Sequence, residues 1–285
     1  MPSVGVLTDS CASIPEALIE KYNIKVVPYY IHRGMDVLLD LVDVQRKEFF
    51  GWLSTAKKLP KTANPGPGDY LQAFREMAQH TREIVTVHMT SLGSGAYQSA
   101  LVARDMARDA LPDVHIEVID SRNVSLCQGW MVIEAARAAL DGVSFDGVVD
   151  CVRRLIPKSR MIQTADTLRY LYMGGRIGRA QHLVGSLLRI KPLISMDDGI
   201  IVPLGTARNR PQAYLRIAEI MQEAAGQLGR VKVAFVHAAD PQEIDKLRQV
   251  VEERLNCVET VVAELSPALG VHTGPGTVGV CFYPL

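Results

Sequence analysis

The segment VHMTSLGSGAYQSALVARDMA, residues 87–107, sets three hydroxyls, Thr90, Ser91 and Ser94, between an apolar stretch and an amphipathic helical pattern. Hydroxyls and glycines where a strand hands over to a helix are equipment for gripping an anion, because free N–H groups and the helix dipole favour negative charge there. Ser94 with Gly95 would open the helix. Ser94 therefore either caps it, as serine commonly does, or offers its hydroxyl to a ligand. Two other apolar runs end in similar residues: Thr8, Asp9 and Ser10 follow VGVL, and Asp120 and Ser121 follow IEVI. Ligands of open parallel sheets sit outside the carboxyl ends of the strands, so all three ends are candidates. Asp9 is expected to orient its own loop, since a carboxylate facing an anion repels it.

GPGTVG, residues 274–279, matches GxGxxG through Gly274, Gly276 and Gly279, but a dinucleotide fingerprint has to open a helix and only the strand-like VCFYPL follows. It reads as a loop of close backbone approach with His272 at its mouth, either structural or part of a site. LYMGGRIGRA puts a Gly-Gly turn and Arg176 before a helix, QHLVGSLLRI, whose Leu183, Val184, Leu187 and Leu188 form an apolar face suited to core packing. No GxxxxGK[ST] and no GxSxG occurs, which excludes a Walker-loop kinase and leaves a covalent mechanism unsupported. Cys11, Cys127, Cys151, Cys257 and Cys281 lie far apart without a CxxC, which indicates reduced thiols and neither a zinc site nor a disulfide framework.

These loops need strands to hold them. At 285 residues the chain is long enough for two domains. Its first half alternates apolar runs with helical patterns: VGVLT, SIPEALIEKY, IKVVPYYI, EIVTVHM, AYQSALVARDMARDAL, VHIEVID and GWMVIEAARAAL. Such alternation implies parallel strands joined by right-handed helical crossovers. Ser13, Pro15 and Glu16 suggest a capping box, and ALPDV stops the helix that follows the hydroxyls. The pattern changes near VRRLIPKSR, which divides the chain into domains at 1–156 and 157–285. Beyond it, RIKPLISMDDGIIVPLGTAR holds two apolar runs around Asp197, Asp198 and Gly199, a hairpin signal, and helical stretches 210–226 and 241–255 flank the strand VKVAFVH. The second domain is therefore α/β with a mixed sheet.

Apolar residues make up 48% of the chain, and 31 Lys plus Arg balance 31 Asp plus Glu, so no net field recruits nucleic acid. MPSVGVLTDS lacks the features of a signal peptide and reads as a first strand. No apolar run reaches the roughly 18 residues of a membrane span. The expectation is a cytoplasmic protein without stable membrane insertion.

Taken in order, VGVLTDSCASIP, PKTANPGPGDY, TSLGSGAYQSA, VIDSRNVS, LRYLYMGGRIGRAQHLVGSLLRIKPLIS, GTARNRPQA and HTGPGTVG resemble the DegV family of fatty-acid-binding proteins. Each motif alone is weak, but together they span the chain in register. The resemblance implies a two-domain α/β protein whose N-terminal domain has a Rossmann-like parallel sheet. It also implies one long-chain fatty acid in a tunnel between the domains, with its carboxylate on the N-terminal one, and no catalytic residue, metal or cofactor. Some family members present that carboxylate to a separate fatty acid kinase, which makes an acyl phosphate for phospholipid synthesis. Carried onto this chain, the carboxylate ligands are Thr62 and Ser94 with the N–H at Gly95, while Ser91, Arg176, Arg208 and His272 are further ligand or partner contacts. The sequence departs at TANPGPG, where the family usually has Thr-Ser-Gln-Pro-Ser, and at TSLGSG, where Ser-Ser-x-Leu-Ser-Gly is commoner. The hydroxyls survive both changes, so the departures bear on pocket shape. A rival reading keeps the anion grip but makes the protein an enzyme acting on a small anionic metabolite; the lack of an acid–base pair counts against it.

Overall fold

In the computed structural model, which describes residues 3–56, 58–184, 190–226 and 229–285, the first half supplies strands β1 (Val4–Asp9), β2 (Lys25–Val27), β3 (Tyr30–Arg33), β4 (Asp36–Leu39), β5 (Lys61–Ala63), β6 (Glu83–His88) and β7 (His115–Asp120). Four form a parallel sheet in the order β2-β1-β6-β7. Helices α1 (Glu16–Lys21), α2 (Arg46–Leu53), α3 (Pro67–Met77), α4 (Ala96–Ala110), α5 (Ser125–Leu140) and α6 (Phe145–Leu155) accompany them. Alternation of apolar runs and helical patterns thus yields the expected parallel α/β unit.

Two local expectations fail. IKVVPYYI is not one strand: Pro28, which lacks an N–H for a ladder, separates β2 from β3, and β3 enters a small antiparallel sheet β4-β3-β5. The capping box also does not form. Ser13 ends a short 3-10 turn at Ser10–Ala12 with φ 53°, and Pro15 stands at the N-cap of α1 with no side-chain cap. The Ser13 hydroxyl instead accepts from the Ser266 N–H across the molecule at 3.0 Å.

The second half holds β8 (Arg160–Thr164), α7 (Arg169–Met173), β9 (Lys191–Asp197), β10 (Ile200–Ala207), α8 (Arg210–Ala225), β11 (Arg230–His237), α9 (Pro241–Glu252), β12 (Asn256–Glu264), α10 (Pro267–Thr273) and β13 (Val278–Pro284). Its strands form one mixed sheet, β10-β9-β8-β13-β11-β12, in which only β11 and β12 pair in parallel. The β9–β10 hairpin turns through Asp198 and Gly199 at φ 45° and 82°, the conformation that an Asp-Gly pair suits. Between Arg176 and β9, a 3-10 helix spans Gly178–Leu183, with Leu183 and Val184 packed against a small apolar cluster. Leu187 and Leu188, expected on the same face, lie outside the described residues.

Helix α5 joins the two sheets. It is buried along most of its length, as a helix apolar at most of its positions should be. The Trp130 indole donates to the Cys281 carbonyl on β13 at 3.0 Å, and one apolar core runs from Val4 and Val85 through α5 to Ala234 and Cys281. The strand ends of the first sheet are thereby held against the face of the second. No helix among the described residues is long and apolar enough to cross a membrane.

Candidate functional site

Between the strand ends of the parallel sheet and the face of the mixed sheet lies a cavity of ≈ 350 Å³. Its two sides differ in chemistry. One is polar and built from loops; the other carries Met161 on β8, Met196 on β9 and Ile201 on β10, with Leu171 of α7.

The polar side is assembled from pieces far apart in sequence. Thr62 sits on β5, and its hydroxyl shares a 2.8 Å hydrogen bond with Nε2 of His272, in the last turn of α10. Burial, and secondarily the cation of Arg176, push the imidazole down to about 4, so it is neutral at physiological pH. Its Nδ1 is buried without a partner among the described residues. A bare acceptor is the less costly atom to leave there, which favours the tautomer in which Nε2–H donates to Thr62. The Thr62 proton then remains free to donate elsewhere.

Ser94 repeats this arrangement. Its hydroxyl shares a 2.6 Å bond with the Tyr29 phenol and accepts from the Ala96 N–H at 3.3 Å, so it stands just ahead of the helix, without being its N-cap, and faces the cavity. Burial raises the Tyr29 pKa well above its ordinary value, which keeps the phenol protonated and able to donate to Ser94. Gly95 stands at the N-cap of α4, and no group among the described residues accepts from its N–H. Two hydroxyl protons, one N–H and the positive end of a four-turn helix therefore converge on one rim.

Buried carboxylates hold the loops without lining the cavity. Asp9 accepts from Cys11 N–H at 3.1 Å and from Met89 N–H at 3.2 Å, fixing the ends of β1 and β6 as its expected loop-orienting role requires. Asp40 accepts from the Ser10 hydroxyl at 2.6 Å and from the Ala268 N–H at 3.2 Å, while Ser10 accepts from Tyr29 N–H. It thereby ties the Tyr29 segment to α10. Burial raises its pKa to about 6 against those hydrogen bonds. Cys11 also lines the cavity, but burial and the nearby carboxylates push its thiol up, away from the thiolate a nucleophile needs.

The hydroxyls at 90, 91 and 94 have three different fates. Thr90 donates to the Gly199 carbonyl at 3.0 Å, locking the hairpin tip over the rim, and Arg122 pairs with Asp198 at 2.6 Å beside it. A side chain at position 199 would begin 2.4 Å from the Thr90 hydroxyl, so glycine is required for this approach as well as for the turn. Ser91 is exposed and outside the cavity lining; its N–H goes to Asp120 at 3.2 Å. Of the arginines, Arg176 lies in the lining, exposed, with its guanidinium donating to the Gly174 carbonyl at 2.6 Å. Arg208 is exposed just before α8 and does not line the cavity. Thr62, Ser94, Gly95, Arg176 and His272 are thus brought together, and Ser91 and Arg208 are not. Sequence reasoning missed Tyr29, Asp40 and Gln163, whose local contexts are ordinary strand and loop patterns.

The DegV family model matches residues 3–285. A DegV domain-containing protein of Caldanaerobacter subterraneus is 32% identical over 282 residues, which cover 99% of each chain. A solved DegV family protein from Thermus thermophilus, described by its fatty acid binding, superposes with a TM-score of 0.92 at 29% identity over 100% of both chains. A stearic acid-binding protein from Eubacterium ventriosum superposes with a TM-score of 0.87 at 27% identity, covering 100% of this chain and 98% of its own.

Proposed function

The chain belongs to the DegV family, and from that premise we propose that it binds one long-chain fatty acid in the cavity between its two sheets. The carboxylate accepts from Thr62, Ser94 and the Gly95 N–H, and the tail runs over Met161, Met196 and Ile201. The observation that carries this reading is the asymmetry of the cavity: a rim of neutral donors on one side and an apolar sheet face on the other. A ligand matching both sides has one anionic head and a long hydrocarbon body.

The energetics divide in the same way. At ~0.8 kcal/mol per buried methylene, a tail of fourteen contributes up to roughly 11 kcal/mol, whereas each hydrogen bond to a charged group adds about 1.5 to 3. The tail sets affinity and the rim sets direction. With no activated nucleophile among the described residues of the rim, the protein acts as a cytoplasmic carrier that presents the carboxylate to a fatty acid kinase for acyl phosphate formation and phospholipid synthesis. Arg176, exposed beside the rim, and Arg208 are the contacts for that kinase or its product. Residues 1–156 form the carboxylate-holding domain and 157–285 the tail-holding one.

Native mass spectrometry of gently purified protein should show a bound acid of about C14 to C20, the size class for which burying some fourteen methylenes gives strong binding. A protein that stays empty with every fatty acid offered, yet binds a hydrophilic metabolite, overturns the reading.

A further inference from the structure

We propose that the preferred ligand carries a hydroxyl within its acyl chain, held by the side-chain amide of Gln163. This rests on the fatty acid reading above and narrows its substrate class. Strand periodicity puts Met161 and Gln163 on one face of β8, the face that lines the cavity together with Met196 and Ile201. Cross-strand from Gln163 are Ile194 on β9 and Gly279 on β13. Gln163 is therefore a polar residue set into an apolar floor.

Its amide has no hydrogen-bond partner among the described residues, although the residue is only 3% exposed and lines the cavity. The amide opens onto the cavity, so a ligand that fills the cavity covers it, and proteins seldom leave a covered amide unpaired because its desolvation is then uncompensated. The place for this side chain is made by Gly279, where a Cβ would stand 2.6 Å from Gln163 Cγ. Methylenes of a plain acyl chain leave both amide atoms unsatisfied. A secondary hydroxyl, at once donor and acceptor, satisfies the amide carbonyl or the amide N–H. Sites that hydrogen-bond a ligand hydroxyl discriminate strongly against the analogue that lacks it.

The test is calorimetric titration of the delipidated full-length protein with stearic acid and with a positional series of monohydroxystearic acids. At least one internal hydroxy isomer should bind wild type about 10-fold or more tighter than stearic acid. Gln163→Leu should reverse that order, weakening the isomer about 10-fold or more while stearic acid binds as well or better. Retained stearic acid binding also reports that the variant is folded. Gln163→Met, which keeps side-chain length, should give the same reversal. If stearic acid binds wild type at least as tightly as every isomer, or the isomer preference survives both substitutions, the proposal is overturned. Loss of stearic acid as well as the isomer in both variants overturns it too, since Gln163 then serves the fold. Failure of every acid to bind wild type overturns the fatty acid reading itself.

Discussion

The two walls of the cavity are made from different parts of a β-sheet. The parallel sheet offers its strand ends, where loops expose N–H groups and hydroxyls, while the mixed sheet offers a strand face, where every second residue points the same way. Ends suit a charge and faces suit a chain. The polar wall also needs long-range support: Thr62 depends on His272 and Ser94 on Tyr29, pairs separated by 210 and 65 residues. The apolar wall needs only register. On the polar wall the neutrality of the partners matters as much as geometry, because a protonated His272 or an ionised Tyr29 would change which protons Thr62 and Ser94 have left to donate.

If the strand face sets affinity, shortening the acid should have the largest effect. Going from C16 to C12 removes four methylenes, up to about 3 kcal/mol or roughly 200-fold in Kd by calorimetry. A loss below about 5-fold would mean that the tail is not held along the mixed sheet, since even a third of that burial exceeds it.

The polar wall should reveal itself in pH dependence. The folded pKa of His272 is depressed to about 4 from an unfolded value near 6.5, so between these limits the unfolded chain binds a proton that the fold refuses. The associated stability is present above pH ~6.5 and is lost as pH falls toward 4, by at most about 3 kcal/mol. Asp40, raised to about 6, contributes with the opposite sign over an overlapping range, its stability present at low pH and lost as pH rises through 6. His272→Gln leaves Asp40 in place, so the difference between the two denaturation profiles isolates the histidine. That difference should shrink steadily from pH 7 to 4; a constant offset would place the titration elsewhere.

Ser94→Ala should cost about 1 to 3 kcal/mol of fatty acid affinity, and about 1 kcal/mol of stability because the Tyr29 phenol loses its partner. Tyr29→Phe separates the two, lowering stability while leaving the Ser94 hydroxyl to the ligand. Smallest on binding are Arg176→Ala and Arg208→Ala, which should hold affinity within about 2-fold, as exposed charges weigh little on binding alone, while, on the proposed presentation to a kinase, product formation with that kinase falls. Unchanged kinase turnover in both would reduce them to surface charges.

Much of this architecture is legible in the sequence because it follows from local period and punctuation. The alternation of VGVLT and EIVTVHM with helical runs gives the parallel sheet, and Asp198-Gly199 gives the hairpin. What the sequence hides is set by distant partners. Pro28 marks the break within IKVVPYYI, but nothing near it announces that β3 pairs with β5 and so carries Thr62 to the rim. Ser13 fits a capping box by spacing, yet its hydroxyl is claimed by Ser266. Gln163 looks like an edge-of-strand polar residue until register places it on the cavity floor.

The most direct test of the division between the walls compares a fatty acid with its methyl ester on wild type and on the Thr62→Ala/Ser94→Ala double variant. The ester keeps the tail and loses the charge. The acid should bind the double variant about 10- to 100-fold more weakly than wild type, less than the product of the single losses because both hydroxyls share one anion. The ester should barely distinguish the two proteins. Equal weakening of acid and ester, or an acid that binds both proteins alike, would contradict the assignment of the carboxylate to Thr62 and Ser94.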